Sequence, residues 1–202
     1  MPPRTLLDIA GVARRTPSFA ESVLILIDHQ MEYRVGALVL SGIEDAIIEN
    51  QRLLAMARAA GAPVIHVVQC SQPGSAVFEP SSPMSAVIPE LAPCPGEAIV
   101  EKRFPSSFAG TNLAEAIAAT GRRSLIITGF MTHMCVSTTV RAALDHGLEC
   151  TVVAAATATR DLPDPLNGIV PAEIVQHSAL AALADRFALV VKDSESLAAH
   201  SQ

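Results

Sequence analysis

Aromatic residues are scarce in this 202-residue sequence, which has no tryptophan, one tyrosine and six phenylalanines. This scarcity excludes a core of stacked aromatic rings. Half of the residues are nevertheless hydrophobic, and most of these are Ala, Val, Leu or Ile, which are typical of a buried sheet covered by helices. A chain of this length buries enough surface for one core, so we expect a single domain over residues 1–202.

Positive charge is also scarce, with 14 Lys and Arg residues against 20 Asp and Glu residues and a net charge of −6. The short arginine groups are not interleaved with aromatic residues, so the sequence predicts no nucleic-acid partner. No uncharged apolar run approaches the roughly 20 residues that span a bilayer, so we expect no membrane insertion. Residues 1–20, interpreted as an N-terminal extension, lack the apolar stretch of a secretory signal, and the predicted location is therefore cytoplasmic.

Paired cysteine spacings such as CxxC are missing. The four cysteines at 70, 94, 135 and 150 are predicted to be free thiols, because a chain of this size needs no disulfide to hold it together.

Glycine is missing where a nucleotide-binding loop requires it. The turn after the first apolar run, "DHQMEY" at 28–33, offers no close approach to a phosphate, which argues against a nucleotide-binding domain.

The sequence does contain six short runs rich in Val and Ile. They are continuously apolar, as in strands buried on both faces, and lie at 23–27, 63–68, 98–101, 124–128, 150–154 and 188–191. Helical patterns separate them at 42–60, 112–120, 134–146 and 171–185. Capping-box spacings, Ser41 with Glu44 and Asn112 with Glu115, mark two of the helix starts. This alternation predicts an α/β fold with a parallel, doubly wound sheet.

One long connection has a biased composition. Residues 71–98 contain six prolines and five serines, and a connection of this length inside a domain is seldom structureless. We interpret the segment as an ordered lid or an oligomer contact, in preference to a passive loop.

Three residues with reactive side chains follow three of the predicted strands. They are Asp28, Lys102 and Cys135, and ligands of a parallel sheet bind beyond the carboxyl ends of its strands. A thiol at a helix N-terminus faces unpaired N–H groups that stabilise its thiolate, while a nearby acid and ammonium complete a nucleophilic site. Taken singly, Cys135 is more often a small buried side chain, Asp28 a turn or cap residue and Lys102 a solvated charge near Arg103.

Longer motifs decide between these alternatives. The segments "VLILIDHQ", "VEKRFPSSFAGTNL", "IITGFMTHMCVSTTVRAALDHG", "ATATRD" and "AEIVQHSALAAL" occur in this order, and together they resemble the isochorismatase-like cysteine hydrolases. The resemblance runs from about residue 20 to the end of the chain. It implies a three-layer α/β/α fold with a six-stranded parallel sheet, and a homo-oligomer, either a dimer or a tetramer.

The resemblance also implies roles for individual residues. Asp28 is expected to act as the general base, Lys102 as the cation that orients the pair, and Cys135 as the nucleophile. The backbone N–H groups of Met131 and Cys135 are expected to form an oxyanion hole, after a cis peptide bond between Phe130 and Met131. Apart from the resemblance, Gln30, Tyr33 and Phe104 follow the first and third predicted strands and are candidate pocket walls. Phe130, Thr132 and His133 precede the thiol and are further candidate substrate contacts, although a His133 side chain turned away from the pocket fits the sequence equally well.

Two departures from other members narrow the expected chemistry. Nicotinamidases of this family bind a metal through Asp-x-His and a further His, but residues 66–98 contain His66 and no Asp, so we expect neither a metal nor another cofactor. Isochorismatases proper lack a cysteine at position 135. The sequence therefore predicts a metal-independent cysteine hydrolase that cleaves a C–N bond of a small amide, carbamoyl or ureido substrate through a thioester. The alternative is a catalytically silent homologue that acts as a binding or oligomeric scaffold.

The remaining histidines and cysteines are assigned to structure. His66 lies inside an apolar run and is predicted to be a core histidine. His177 is expected to take part in packing or in an interface. Cys70, Cys94 and Cys150 are predicted to be structural thiols.

Overall fold

One parallel sheet lies at the centre of the structure, a computed structural model that describes residues 2–198. Its strand order is β3-β2-β1-β4-β5-β8. All six predicted strands are present: β1 (Ser22–Ile27), β2 (Val64–Gln69), β3 (Ala98–Lys102), β4 (Ser124–Phe130), β5 (Glu149–Ala158) and β8 (Ala188–Val191). Strand β5 extends four residues further than predicted, because it resumes pairing with β4 beyond a register shift at Gly129. A two-stranded antiparallel hairpin, β6 (Leu162–Pro163) with β7 (Ile169–Val170), follows β5.

Helices cover both faces of the sheet, so the predicted three-layer α/β/α architecture is confirmed. The helices are α1 (Leu6–Ile9), α2 (Ile43–Ala59), α3 (Leu113–Ala119), α4 (Ser137–Asp145), α5 (Ala172–Arg186) and α6 (Ser194–Ala198). Helices α2 and α6 pack on one face, while α3, α4 and α5 pack on the other. None of the helices within residues 2–198 has the length and apolar character needed to cross a membrane.

The two faces of β1 explain why its sequence is apolar throughout. Leu24 and Leu26 belong to the core beneath α2, whereas Val23, Ile25 and Ile27 belong to the core beneath α3 and α4. All five side chains are at most 1% exposed. Burying an aliphatic side chain of this size contributes about 1.5–3 kcal/mol, so a continuous apolar run is what a central strand covered on both faces requires.

Both predicted capping boxes are wrong, although the helix bounds are close. The N-cap of α2 is Gly42, in a left-handed conformation at φ 69° and without a side-chain cap. Ser41 is instead held by a backbone hydrogen bond from its N–H to the Thr159 carbonyl, and Glu44 pairs with Arg34. At α3 the side chain of Asn112 caps nothing. A tertiary partner has displaced the local capping pattern at α2, whereas at α3 the Leu113 N–H donates to the neighbouring Thr111 hydroxyl.

The beginning of α4 also differs from the prediction. Residues Thr132–Val136 form a single π-helical turn in which the Val136 N–H bonds to the Met131 carbonyl, and α4 itself begins at Ser137. Such wide turns leave backbone groups in unusual positions and are frequent at functional sites. Cys135 therefore lies in the turn that joins β4 to α4.

The proline-rich segment 71–98 is ordered. It contains two short 3₁₀ turns, Pro83–Ser85 and Pro89–Leu91, and buries Ile88 and Leu91 completely. The Ile88 N–H donates to the His29 carbonyl, which anchors the segment beside the carboxyl end of β1. Whether it acts as a lid or as a contact between subunits stays a prediction.

Candidate active site

Asp28 begins the loop directly after β1, at the carboxyl edge of the sheet. Its φ of 55° is left-handed, a conformation that aspartate tolerates better than most residues. The Asp28 N–H bonds to the Val67 carbonyl on β2 at 2.8 Å, which fixes the start of the loop. The carboxylate is fully buried, so it needs a compensating charge.

Lys102, the last residue of β3, supplies that charge. Its side chain is also completely buried, and Nζ lies 2.8 Å from Asp28 Oδ2 and 3.2 Å from Cys135 Sγ. It donates further hydrogen bonds to Gln69 Oε1 at 2.7 Å and to the Phe104 carbonyl at 3.2 Å. The ammonium thus joins the carboxylate, the thiol and the β2 strand end in a single cluster. Residues that lie far apart in the sequence meet there.

The third member, Cys135, is a protonated thiol in this environment. Burial and the Asp28 charge together raise the pKa of Cys135 to about 12, and Lys102 offsets only part of the rise. We expected the helix start to stabilise a resting thiolate, and this part of the prediction is wrong. Cys135 lies before α4, and desolvation outweighs the favourable charge of Lys102.

Asp28 is placed to accept the thiol proton. Burial raises the pKa of its carboxyl, against the opposing effect of Lys102, and the carboxylate contacts the Cys135 side chain. Within residues 2–198 neither carboxylate oxygen accepts a hydrogen bond of good geometry, so its contact with Lys102 is mainly ionic. The carboxylate therefore retains acceptor capacity, and a raised pKa makes it a stronger base.

Gln69 takes part in the cluster, although the sequence analysis did not single it out. It is the last residue of β2, between the strands that carry Asp28 and Lys102. Its side chain accepts from Lys102, while its backbone exchanges two hydrogen bonds with the side chain of Gln30. Its position at a strand end was the available signal, but a neutral amide at that position did not suggest chemistry.

A backbone donor faces the same space. The peptide bond between Phe130 and Met131 is cis, and the Met131 N–H donates no hydrogen bond to another described residue. Met131 and Cys135 both line a cavity of about 250 Å³ that opens over the thiol. An unpaired donor beside a nucleophile is suited to binding a carbonyl oxygen as it gains negative charge.

The cavity has a largely apolar and aromatic wall. Its lining includes Tyr33, Val77, Phe78, Phe104 and Met134. Three larger clefts lie elsewhere, one between α2 and the start of α5, one beside residues 12–17 and one between α3 and the turn that follows α4, and none of them is lined by Asp28, Lys102 or Cys135. We assign the site to the smaller cavity because Cys135 lines it, and the Cys135 sulfur lies 3.2 Å from the buried Lys102 ammonium.

Comparison with known proteins identifies the family of this chain. The sequence model of the isochorismatase domain matches residues 22–194. This chain belongs to the isochorismatase family. The secreted isochorismatase effector Isc1 of Verticillium dahliae is 38% identical to it over 185 residues, which cover 92% of this chain and 95% of that protein. An isochorismatase from Pseudomonas putida KT2440 has a crystal structure with a TM-score of 0.90 and 40% identity, covering 94% of this chain and 97% of its own.

A further isochorismatase-family relative is named for its reaction. Streptothricin hydrolase of Streptomyces noursei is 32% identical over 169 residues, which cover 83% of this chain and 61% of that protein. Because Isc1 is secreted by its name, the cytoplasmic location of this chain stays a prediction, as does its oligomeric state.

The predicted substrate contacts divide into two groups. Tyr33 and Phe104 line the cavity, and Phe104 is 59% exposed at its mouth. The other four do not line it, and their role as substrate contacts stays a prediction: Gln30, Phe130, Thr132 and His133. Their side chains are engaged elsewhere.

Each of these four side chains has a structural partner. Gln30 donates to the carbonyls of Gln69 and Ser85. Phe130 is fully buried and packs on the rings of His29 and Tyr33. The Thr132 hydroxyl donates to the Ala158 carbonyl, and Nδ1 of His133 pairs with the Thr159 hydroxyl at 2.6 Å. All four brace the loops that hold the site.

The remaining histidines and cysteines lie outside the cluster. His66 is buried against Glu97, at 2.9 Å, whereas His177 is exposed on α5. All four cysteines are free thiols, and Cys94 is exposed where we predicted a structural role. Residues 2–198 contain no group of three or more His, Cys, Asp or Glu side chains placed to hold a metal ion.

Proposed function

We propose that this protein is a cysteine hydrolase that cleaves a C–N bond of a small amide, carbamoyl or ureido compound. One observation carries the proposal: a buried ammonium lies 2.8 Å from a carboxylate and 3.2 Å from a thiol, and the thiol lines a cavity. A carboxylate, a cation and a sulfur are the parts needed for general-base activation of a nucleophile. They supply the proton transfers and the bond formation without a metal ion.

The first step is proton transfer from Cys135 to Asp28. With a pKa of about 12 the thiol is protonated at neutral pH, so a nucleophile forms only when the proton moves to the adjacent carboxylate. Lys102 then holds the new thiolate and the neutral acid in place through its contacts with both side chains. The thiolate attacks the substrate carbonyl, and the backbone N–H groups of Met131 and Cys135 stabilise the oxyanion.

The second half of the reaction restores the site. Asp28 gives its proton to the leaving nitrogen as the C–N bond breaks, which leaves an acyl or carbamoyl thioester on Cys135. Asp28 next removes a proton from a water molecule that attacks the thioester, and the thiolate leaves and regains that proton. One carboxylate alternates between base and acid, for which a raised pKa is favourable.

The names of two relatives support this reaction class. Streptothricin hydrolase of Streptomyces noursei and ureidoacrylate amidohydrolase of Stutzerimonas stutzeri, 31% identical over 157 residues, are both named as hydrolases. The second name denotes hydrolysis of an amide bond. The cavity of about 250 Å³ fits a substrate of a few non-hydrogen atoms rather than a peptide.

The test is ammonia release from a panel of small amides, carbamoyl compounds and ureido compounds, combined with intact-protein mass spectrometry. Wild-type protein is expected to release ammonia and, after rapid acid quenching, to carry an acyl adduct on Cys135. Cys135→Ala is expected to form no adduct and release no ammonia, and Cys94→Ala serves as the matched control at an exposed thiol. Full activity in Cys135→Ala would refute the proposed nucleophile.

A further inference from the structure

The cavity over Cys135 has one charged side chain at its rim. Among the residues that line it, Arg103 alone carries a full charge, and the rest of the wall is neutral. Arg103 directly follows Lys102, whose ammonium points inward to Asp28 and to the Phe104 carbonyl. The guanidinium and the thiol therefore share one small space.

Arg103 also lacks a partner within the protein. Its guanidinium forms no hydrogen bond or ion pair with any other described residue, although the chain carries 20 acidic residues. Other arginines are engaged by acids, as Arg34 is by Glu44 and Glu90, and Arg58 by Glu97. An unpaired guanidinium beside a reactive thiol is free to bind a ligand in bidentate fashion.

The charge balance of the site favours an anion. The Asp28 carboxylate is offset by the Lys102 ammonium, and the Cys135 thiol is protonated and so uncharged. Arg103 then leaves the cavity with a single net positive charge. Arg103 is exposed at the mouth of the cavity, where its positive charge attracts an anionic group from solvent.

The size of the cavity limits how far the anion lies from the reacting carbonyl. A sphere of 250 Å³ is about 8 Å across, which spans a carbonyl, a short aliphatic link and a carboxylate. Tyr33, Phe78 and Phe104 supply an aromatic surface for the link. This span favours a short link between the reacting carbonyl and the anion.

We propose that Arg103 determines specificity by binding a carboxylate of the substrate, so that this enzyme acts on short amide or carbamoyl acids. This inference rests on the proposed hydrolase function and names its substrate class. Examples of the chemistry are ω-amide acids and N-carbamoyl amino acids with a link of about two to four carbons, which follows from the same cavity dimension. Their neutral methyl esters lack the group that Arg103 recognises.

The kinetic test compares each acid with its methyl ester. In wild type, kcat/KM is expected to favour the acid by about 10- to 100-fold, the usual range for a charge-assisted hydrogen bond. Arg103→Gln is expected to bring this ratio close to one, mainly through a higher KM, and Arg103→Lys to restore part of it. Arg186→Gln is the matched control, because Arg186 is the other arginine of the described chain without a partner and does not line the cavity. Raised salt should reduce the preference.

A binding measurement separates failure of this inference from failure of the hydrolase proposal. The probe is 4-oxopentanoate, in which a methyl group replaces the amide nitrogen so that no hydrolysis is possible, with its methyl ester as the neutral partner. Calorimetry should show tighter binding of the acid to wild type and to Cys135→Ala, and loss of that preference in Arg103→Gln. If no amide is hydrolysed but this preference exists, the function fails and the carboxylate site stands. If Arg103→Gln keeps the preference, or wild type shows none, the inference is refuted.

Discussion

The Lys102 ammonium lies 2.8 Å from the Asp28 carboxylate, and neither side chain is exposed to solvent. The pair joins the carboxyl ends of β3 and β1, two strands separated in the sheet by β2. Desolvating both charges is costly, and such a pair is seldom a net source of stability compared with apolar residues of similar size. A role in the reaction explains the buried pair better than a role in stability, because the same ammonium also contacts the Cys135 sulfur.

Lys102→Met is predicted to abolish activity and to destabilise the fold. Without the cation the pKa of Asp28 rises further, since Lys102 is the largest effect opposing burial. The carboxyl then stays protonated and cannot act as the base, and we expect kcat/KM to fall at least about 100-fold.

The same substitution is expected to lower stability. Breaking a buried pair costs about 3–5 kcal/mol, which urea unfolding will measure. The double variant Asp28→Asn/Lys102→Met should lose less stability than the two single losses combined; additive losses would contradict a direct interaction.

Asp28→Asn is predicted to separate thiol reactivity from catalysis. The Asp28 charge raises the pKa of Cys135, whereas Lys102 lowers it, so removing the carboxylate shifts the thiol pKa down from about 12. At pH 8 iodoacetamide should then label Cys135 faster in the variant than in wild type, while amide hydrolysis falls at least about 100-fold for want of a base. Peptide mapping after timed labelling gives both rates, with exposed Cys94 as the internal reference. Slower labelling in the variant would show that Asp28 does not suppress the thiolate.

Gln69→Leu is predicted to reduce kcat through Lys102. The substitution removes the 2.7 Å acceptor of the ammonium, while Asp28, Cys135 and the Phe104 carbonyl still contact Nζ. Loss of one hydrogen bond to a charged group costs about 1.5–3 kcal/mol and allows the ammonium to shift. We expect kcat to fall about tenfold or more with a smaller change in KM, and the acid limb of the pH–rate profile to move. Gln72→Leu is the control, because Gln72 is exposed three residues further along the chain. An unchanged pH profile would mean that Gln69 does not position the Lys102 ammonium and has a structural role only.

The sheet and the reactive cluster were accessible from the sequence for one reason. Continuous apolar runs mark strands buried on both faces, and a parallel sheet brings the residues after such runs to a common edge. Asp28 and Lys102 stand at strand ends within one residue. Local pattern plus topology therefore bring Asp28 and Lys102 to one edge of the sheet. Cys135, seven residues past its predicted strand, was assigned to the cluster by the resemblance of the longer motifs.

Other features depend on tertiary contacts that no local pattern records. The protonation state of Cys135 is set by burial, which the sequence around it does not show. Gln30 follows β1, which is a position typical of a pocket residue. Its side chain instead forms two hydrogen bonds with the backbone of Gln69. The predicted cap of α2 was wrong for the same reason, because the Ser41 N–H donates to the Thr159 carbonyl and the Ser41 side chain does not cap the helix.

Glu97→Gln is predicted to lower stability at neutral pH and to have no effect in acid. Glu97 lies between Arg58 at 2.7 Å and His66 at 2.9 Å, and chiefly the Arg58 hydrogen bond lowers its pKa to about 2. Because the folded pKa lies below the unfolded value of 4.5, the stabilisation is complete above about pH 5 and is lost as pH falls to about 2. Urea unfolding of wild type and variant should therefore differ at pH 7 and converge near pH 2. Glu101→Gln, at an exposed carboxylate, should give no such trend.

Gly129→Ala is predicted to destabilise the protein far more than a glycine substitution usually does. Gly129 adopts φ 124° where β4 shifts register against β5, and an added Cβ would collide with the backbone of Ile27 on β1. Neither strand can move away, because both are fully buried in the central sheet and Ile27 immediately precedes Asp28.

Gly61→Ala is the matched control, since Gly61 also has a positive φ, of 62°, but nothing lies within 4 Å of its Cβ position. The control reports the conformational cost alone, about 1–2 kcal/mol. We expect Gly129→Ala to lose more than about 4 kcal/mol, or to yield no folded protein. Equal losses in the two variants, measured by urea unfolding, would mean that the backbone of β1 and β4 accommodates the methyl group and that the close approach is not what requires glycine at position 129.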